Sequence, residues 1–184
     1  MSFIGDVNKG STYNPGYFLA YNDEGITRET KEFAQDSALV VVSEDGTKHI
    51  PMGSAYPTND GNAIGIAYED VDVTVGNMPG SVVTGGATVY EDRLPITSVN
   101  VSYDAVTPAG TENPSEEKWY ERSGSAGSYV YTLSTDTEVG SGKTYYAKTE
   151  TITRLASAAK TALEALGFKF IATAPAVTRP DWEV

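Results

Sequence analysis

Residues 63–74 read Ala63-Ile64-Gly65-Ile66-Ala67-Tyr68-Glu69-Asp70-Val71-Asp72-Val73-Thr74. The first six form a short apolar run, the pattern of a strand buried on both faces, and the next six alternate acids with valines, the pattern of a strand with one wet face. Sheets therefore organise the chain on either side. Upstream, Ser37 to Val42 is an apolar, β-branched stretch, Ser43-Glu44-Asp45-Gly46-Thr47 a turn, and Lys48-His49-Ile50-Pro51 a short second strand, which together predict a hairpin. Downstream, Gly76-Asn77-Met78-Pro79-Gly80 reads as a turn and Ser81-Val82-Val83-Thr84-Gly85-Gly86 as a strand. The Gly-Gly pair marks a bend or bulge there rather than a phosphate loop, because no GxGxxG or GK[ST] pattern goes with it. A further β run ends in Tyr90-Glu91-Asp92-Arg93-Leu94-Pro95.

Composition agrees with a strand-rich chain. Over 184 residues the hydrophobic share is 40% and the charged share 21%, with Gly, Thr, Ser, Val and Tyr abundant. That length suits one domain or two small ones. Twenty-five acidic against 13 basic residues give a net charge of −12, which repels a phosphate backbone, so no nucleic-acid partner is expected. The absence of cysteine removes disulfides, thiolate nucleophiles and zinc–thiolate sites. The N-terminus has no basic start followed by an apolar core, and no stretch approaches the length of a membrane span, so neither an export signal nor a membrane partner is expected.

Residues 1–25 alternate aromatics with Gly, Asn and Pro and lack strand or helix periodicity, which predicts an extended N-terminal arm. Its aromatics have two destinations, the arm's own domain or a neighbouring protein. Tyr13, Tyr17, Phe18 and Tyr21 are the candidate contact residues. Between residues 97 and 150 the composition shifts to Ser, Thr, Gly and Tyr, which reads as an insertion. Its pieces, Thr97–Val106, Lys118–Glu121, Ser128–Leu133 and Lys143–Lys148, predict a small antiparallel β module. Trp119, Tyr120, Tyr129 and Tyr131 are needed first to build its core, and second are candidates for a glycan platform. The helical spacing of Leu155, Ala158, Ala159, Ala162, Leu163 and Leu166 predicts one Ala-rich helix over 153–166, stopped by Gly167. A short closing strand follows over 168–172.

Chemistry-bearing motifs are few. His49 is the one histidine and sits beside a turn without ligand-spaced partners, the position of an ordinary strand residue. Glu69, Asp70 and Asp72 lack the spacing of a calcium loop. With no GxSxG, no HExxH and no phosphate loop, no enzyme, catalytic residue, metal or cofactor is expected.

The order of these elements resembles the lambda-type head decoration proteins of tailed phages. The likeness is carried by Ala63-Ile64-Gly65-Ile66 leading into Glu69–Thr74, by Tyr90–Pro95, by Ala158-Ala159-Lys160-Thr161-Ala162-Leu163, and by the strand from Phe168. It implies a mainly β, α+β decoration-protein fold formed by 26–96 with 151–184, interrupted by the module at 97–150. It further implies a structural virion protein, made in the host cytoplasm and bound as a homotrimer to the major capsid protein on the outer head surface. A different class of function, adhesion to host-surface glycan through the inserted module, is the competing expectation.

Overall fold

The chain was described by a computed structural model covering residues 15–20 and 25–175. In chain order the strands are β1 (Thr27–Phe33), β2 (Val41–Val42), β3 (Lys48–Ile50), β4 (Ala55–Tyr56), β5 (Gly65–Ala67), β6 (Val71–Asp72), β7 (Met78–Gly85) and β8 (Thr88–Tyr90). After a single 3-10 turn (Glu91–Arg93) come β9 (Ser98–Val106), β10 (Tyr120–Ser123), β11 (Val130–Leu133), β12 (Tyr145–Thr153), helix α1 (Ser157–Ala165) and β13 (Lys169–Ile171). The protein is mainly β, with several antiparallel sheets and one helix among the described residues. It divides into two compact units, residues 1–97 with 154–184, and residues 98–153.

The first unit is built around β5, whose three residues are all buried. β5 lies between β4 and β7 in the sheet β1-β7-β5-β4. Its pairing sends side chains alternately to opposite faces. Ile66 pairs with Val83, and both enter a cluster with Phe18, Val89, Leu94, Leu163 and Phe168; Ala67 pairs with Val82, and both enter a second cluster with Phe33, Ile50 and Val73. One sheet thus separates two small cores. Beside it, β2-β3-β6 forms a three-stranded sheet. β8 pairs in parallel with β13 and carries an antiparallel bridge from Val89 to Leu19 on its other side.

The N-terminal segment is tied to this core. Phe18 is fully buried. The Gly16 N–H donates to the Tyr68 carbonyl, Ala20 N–H to Thr88, and Tyr90 N–H to Phe18, each at 2.8 Å. Of the two destinations open to the arm's aromatics, Phe18 takes its own domain. It offers no surface to a partner and leaves the candidate contact set. Tyr17 stays 38% exposed, while Tyr13 and Tyr21 lie outside the described residues.

Several boundaries differ from the sequence reading. Ala38–Val40 are not in a strand, and β2 contains only two residues. Met78-Pro79-Gly80 belongs to β7 rather than to a turn. Pro79 is tolerated because β5 accompanies β7 only at Val82 and Val83, so a missing N–H on that side breaks no ladder bond. The helix begins at Ser157, not Thr153, because β12 runs through Thr153 to pair with Ser98. Its end follows the Schellman pattern, with Phe168 N–H on the Leu163 carbonyl (3.1 Å), Gly167 N–H on Glu164 (3.0 Å) and Gly167 at φ +88°.

Gly65 has no room for a side chain. A Cβ there would lie 2.4 Å from the Val83 carbonyl oxygen and 2.5 Å from Val82 Cγ1, whereas a Cβ on Gly61 would meet nothing within 4 Å. Gly65→Ala is expected to destabilise the first unit by about 1–3 kcal/mol through overpacking, with Gly61→Ala near neutral. Paired denaturant titrations of the two variants against the parent chain measure the difference.

Candidate functional site

The second unit is the four-stranded antiparallel sheet β11-β10-β12-β9. Tyr120 lies opposite Tyr146, which also lies opposite Ala105, and Arg122 lies opposite Tyr131. Because opposed residues share a face and the period is two, Tyr103, Tyr120, Tyr131 and Tyr146 stand on one face. Their rings pack on one another. Tyr103 stacks on Tyr131 with centroids 3.9 Å apart, Tyr120 meets Tyr103 edge-on at 5.2 Å, and Tyr146 meets Tyr131 edge-on at 5.3 Å. The Arg122 guanidinium lies 4.2 Å from the Tyr129 ring centroid and 5.0 Å from that of Tyr146.

The opposite face centres on Tyr145, which is fully buried and has Trp119 tilted against it at 5.9 Å. The Tyr145 hydroxyl donates to Asp136 Oδ2 (2.6 Å) and accepts from the Gly140 N–H (3.0 Å). Lys143 Nζ bridges Asp136 Oδ2 at 2.7 Å and Glu121 Oε2 at 3.2 Å, and the buried Ser134 hydroxyl donates to Glu121 Oε1 at 2.8 Å. The network binds the loop over residues 134–143 to β10. The lysine ammonium, and then the Tyr145 hydroxyl, hold the Asp136 carboxyl below the usual carboxylate range. Asp136 in turn raises both Lys143 and Tyr145.

These contacts divide the four candidate glycan residues. Tyr120 and Tyr131 belong to the tyrosine cluster, Trp119 lies on the other face against Tyr145, and Tyr129 is exposed beside Arg122. A flat platform for a sugar needs open ring faces; Tyr131 gives one face to Tyr103 and Tyr129 lies against a guanidinium.

In the first unit the motif Tyr90–Pro95 is a junction. Glu91 pairs with Lys160, Asp92 Oδ2 accepts the Ala174 N–H at 2.9 Å, and the Leu94 carbonyl accepts from Arg154. Arg93 lies 4.4 Å from the Tyr17 ring centroid and 4.7 Å from that of Tyr90, and donates to the Tyr17 carbonyl at 2.9 Å. Sequence reasoning named Tyr17 but not its arginine, because the two are far apart in the chain and no local pattern joins them. Two of the acids near β6 serve the backbone: Asp70 accepts the Met52 N–H at 2.7 Å, and Asp72 accepts the Thr74 N–H at 2.8 Å, with its carboxyl held low by Thr74. His49 stands opposite Asp72 in the ladder. Among the described residues no group of three or more His, Asp or Glu is placed to hold a metal ion.

A carboxyl with a lowered folded-state pKa stabilises the fold above its unfolded value, and that contribution is lost as pH falls through the folded value. Asp136→Asn is therefore expected to lower the melting temperature near neutral pH, with the gap from the parent closing below about pH 4, where the free carboxyl protonates. Thermal scans across acid pH read this directly, and a gap independent of pH would contradict the assigned network. No family model, curated protein or solved structure matches this chain.

Proposed function

We propose that the protein is a non-enzymatic structural subunit that decorates the outer surface of a tailed-phage head, binding the major capsid protein as trimers. One observation carries this reading. All the elements behind the resemblance to lambda-type decoration proteins, residues 63–74, 90–95, 158–163 and the strand at 168, fall in a single compact unit, while the inserted strands close on one another as a separate unit. The core is thus continuous across the insertion.

A lattice-binding subunit needs only modest contacts per copy, because many copies bridging neighbouring positions reinforce one another. Tyr17, exposed and braced by Arg93, offers apolar area with few rotatable bonds; Tyr13 and Tyr21 lie outside the described residues. The glycan-adhesion reading has less support, since Tyr120, Tyr131 and Trp119 spend their rings on packing.

The test is cosedimentation with undecorated heads, comparing the parent chain with a variant carrying Tyr13→Ser, Tyr17→Ser and Tyr21→Ser, which leaves the buried Phe18 in place. Saturable binding by the parent chain is expected, weakened at least tenfold by the three substitutions, a difference of about 1.4 kcal/mol. Failure of the parent chain to bind would overturn the proposal.

A further inference from the structure

The sheet edges of this protein are managed unequally. An open edge presents unpaired N–H and C=O groups to any other strand, and native proteins blunt it with charges, proline or brevity. The edge strand β1 has seven residues, of which Arg28, Glu29, Lys31 and Glu32 are charged. The edges β2 and β4 have two residues each, too short to template a partner. β9 has none of these defences. It is nine residues long, ends the sheet of the second unit, and has no lysine, arginine or proline and one acid, Asp104. Among the described residues it pairs with β12 alone. Val99 and Val101 are 48% and 46% exposed, and Ile152, opposite Val99, is 49% exposed.

The sequence of β9, Ser98-Val99-Asn100-Val101-Ser102-Tyr103-Asp104-Ala105-Val106, complements itself when read backwards. Antiparallel pairing about a two-fold axis at Ser102 sets Val101 against Tyr103, Val99 against Ala105 and Asn100 against Asp104. Apolar residues meet apolar ones on one face. On the other, the one charge meets an amide that can donate to it, and the two aspartates stay apart. We propose that β9 is a self-association edge, on which a second copy of this chain adds its own β9 antiparallel and in full register, joining two four-stranded sheets into one of eight. Main-chain bonds supply the affinity of such strand addition and the alternating side chains its register. A two-fold contact of this kind is isologous, and it uses a different unit from the one that carries Tyr17.

The 184-residue chain contains no cysteine, so Ser102→Cys introduces one thiol at the proposed axis. Mild oxidation is expected to yield a disulfide-linked dimer, while Glu44→Cys, on an exposed hairpin turn of the first unit, stays unlinked under the same conditions. Sedimentation equilibrium supplies the second measurement. Ser102→Lys sets two ammonium groups opposite one another and is expected to weaken association about fivefold, whereas Asn100→Lys sets an ammonium against Asp104 of the second copy and is expected to strengthen it by a similar factor. Equal cross-linking of the Ser102→Cys and Glu44→Cys variants, or none of the former, would overturn the proposal. So would association constants that neither lysine changes.

Discussion

The first unit depends on the pairing of β5 with β7. Three residues of one strand and two of its neighbour divide two hydrophobic clusters, Ile66 and Val83 facing one, Ala67 and Val82 the other. A strand that serves two cores cannot shift register by one residue, because the shift would exchange the side chains offered to each. Gly65 brings the strands close enough, since the space a side chain would need is filled by the Val83 carbonyl and Val82. The same stretch then extends its influence outward: the carbonyl of Tyr68, next after β5, holds the Gly16 N–H and so fixes the segment that buries Phe18. Small clusters of this kind give limited stability individually, and sharing a sheet makes each dependent on the other.

Where the sequence could be read, local pattern and tertiary environment agreed. At Gly65–Ala67 burial on both faces removes polar alternation, so the strand is legible, whereas Ile64 in the same apolar run is 43% exposed and outside it; the Ser/Thr/Tyr-rich stretch downstream lies within the unit Ser98–Thr153. β1 is illegible in the sequence for the opposite reason. Thr27-Arg28-Glu29-Thr30-Lys31-Glu32-Phe33 has the charges of a guarded edge, and these hide the strand from a search for apolar alternation. Helical periodicity alone starts the helix at Thr153, because Thr151, Ile152 and Thr153 sit at the boundary of two periodicities and only pairing with Ser98–Asn100 decides for the strand. Arg93 and Tyr17, or Lys143 with Glu121 and Asp136, are unions of distant residues that no window of sequence can contain.

The second unit shows how a sheet can hold together with few aliphatic side chains. One face substitutes interlocked tyrosines, whose offset and edge-on contacts add about 0.5–1.5 kcal/mol each beyond burial. The other substitutes a polar network in which Tyr145, Ser134 and Lys143 satisfy two carboxylates. Both devices are directional, so they fix ring and loop positions more sharply than aliphatic packing would, and they draw on the Tyr, Ser and acidic content that marks the insertion. Neither reaches Ser98–Ser102 and Thr149–Ile152, where the paired strands remain exposed.

The junction at Tyr90–Pro95 gives the acidic and basic residues of the first unit a mechanical reading. Glu91, Asp92 and Arg93 are consecutive, yet they hold the helix through Lys160, the chain beyond β13 through Ala174, and the N-terminal segment through Tyr17. Each contact alone is a partly exposed pair of small worth. Their value lies in convergence, because Leu94, buried immediately after them, anchors the turn to the larger cluster. Load on the segment at 15–20 would therefore pass through Phe18 and Arg93 into this turn, and from it to helix and sheet together, so that no single element has to yield before the rest, a path that suits the role proposed above.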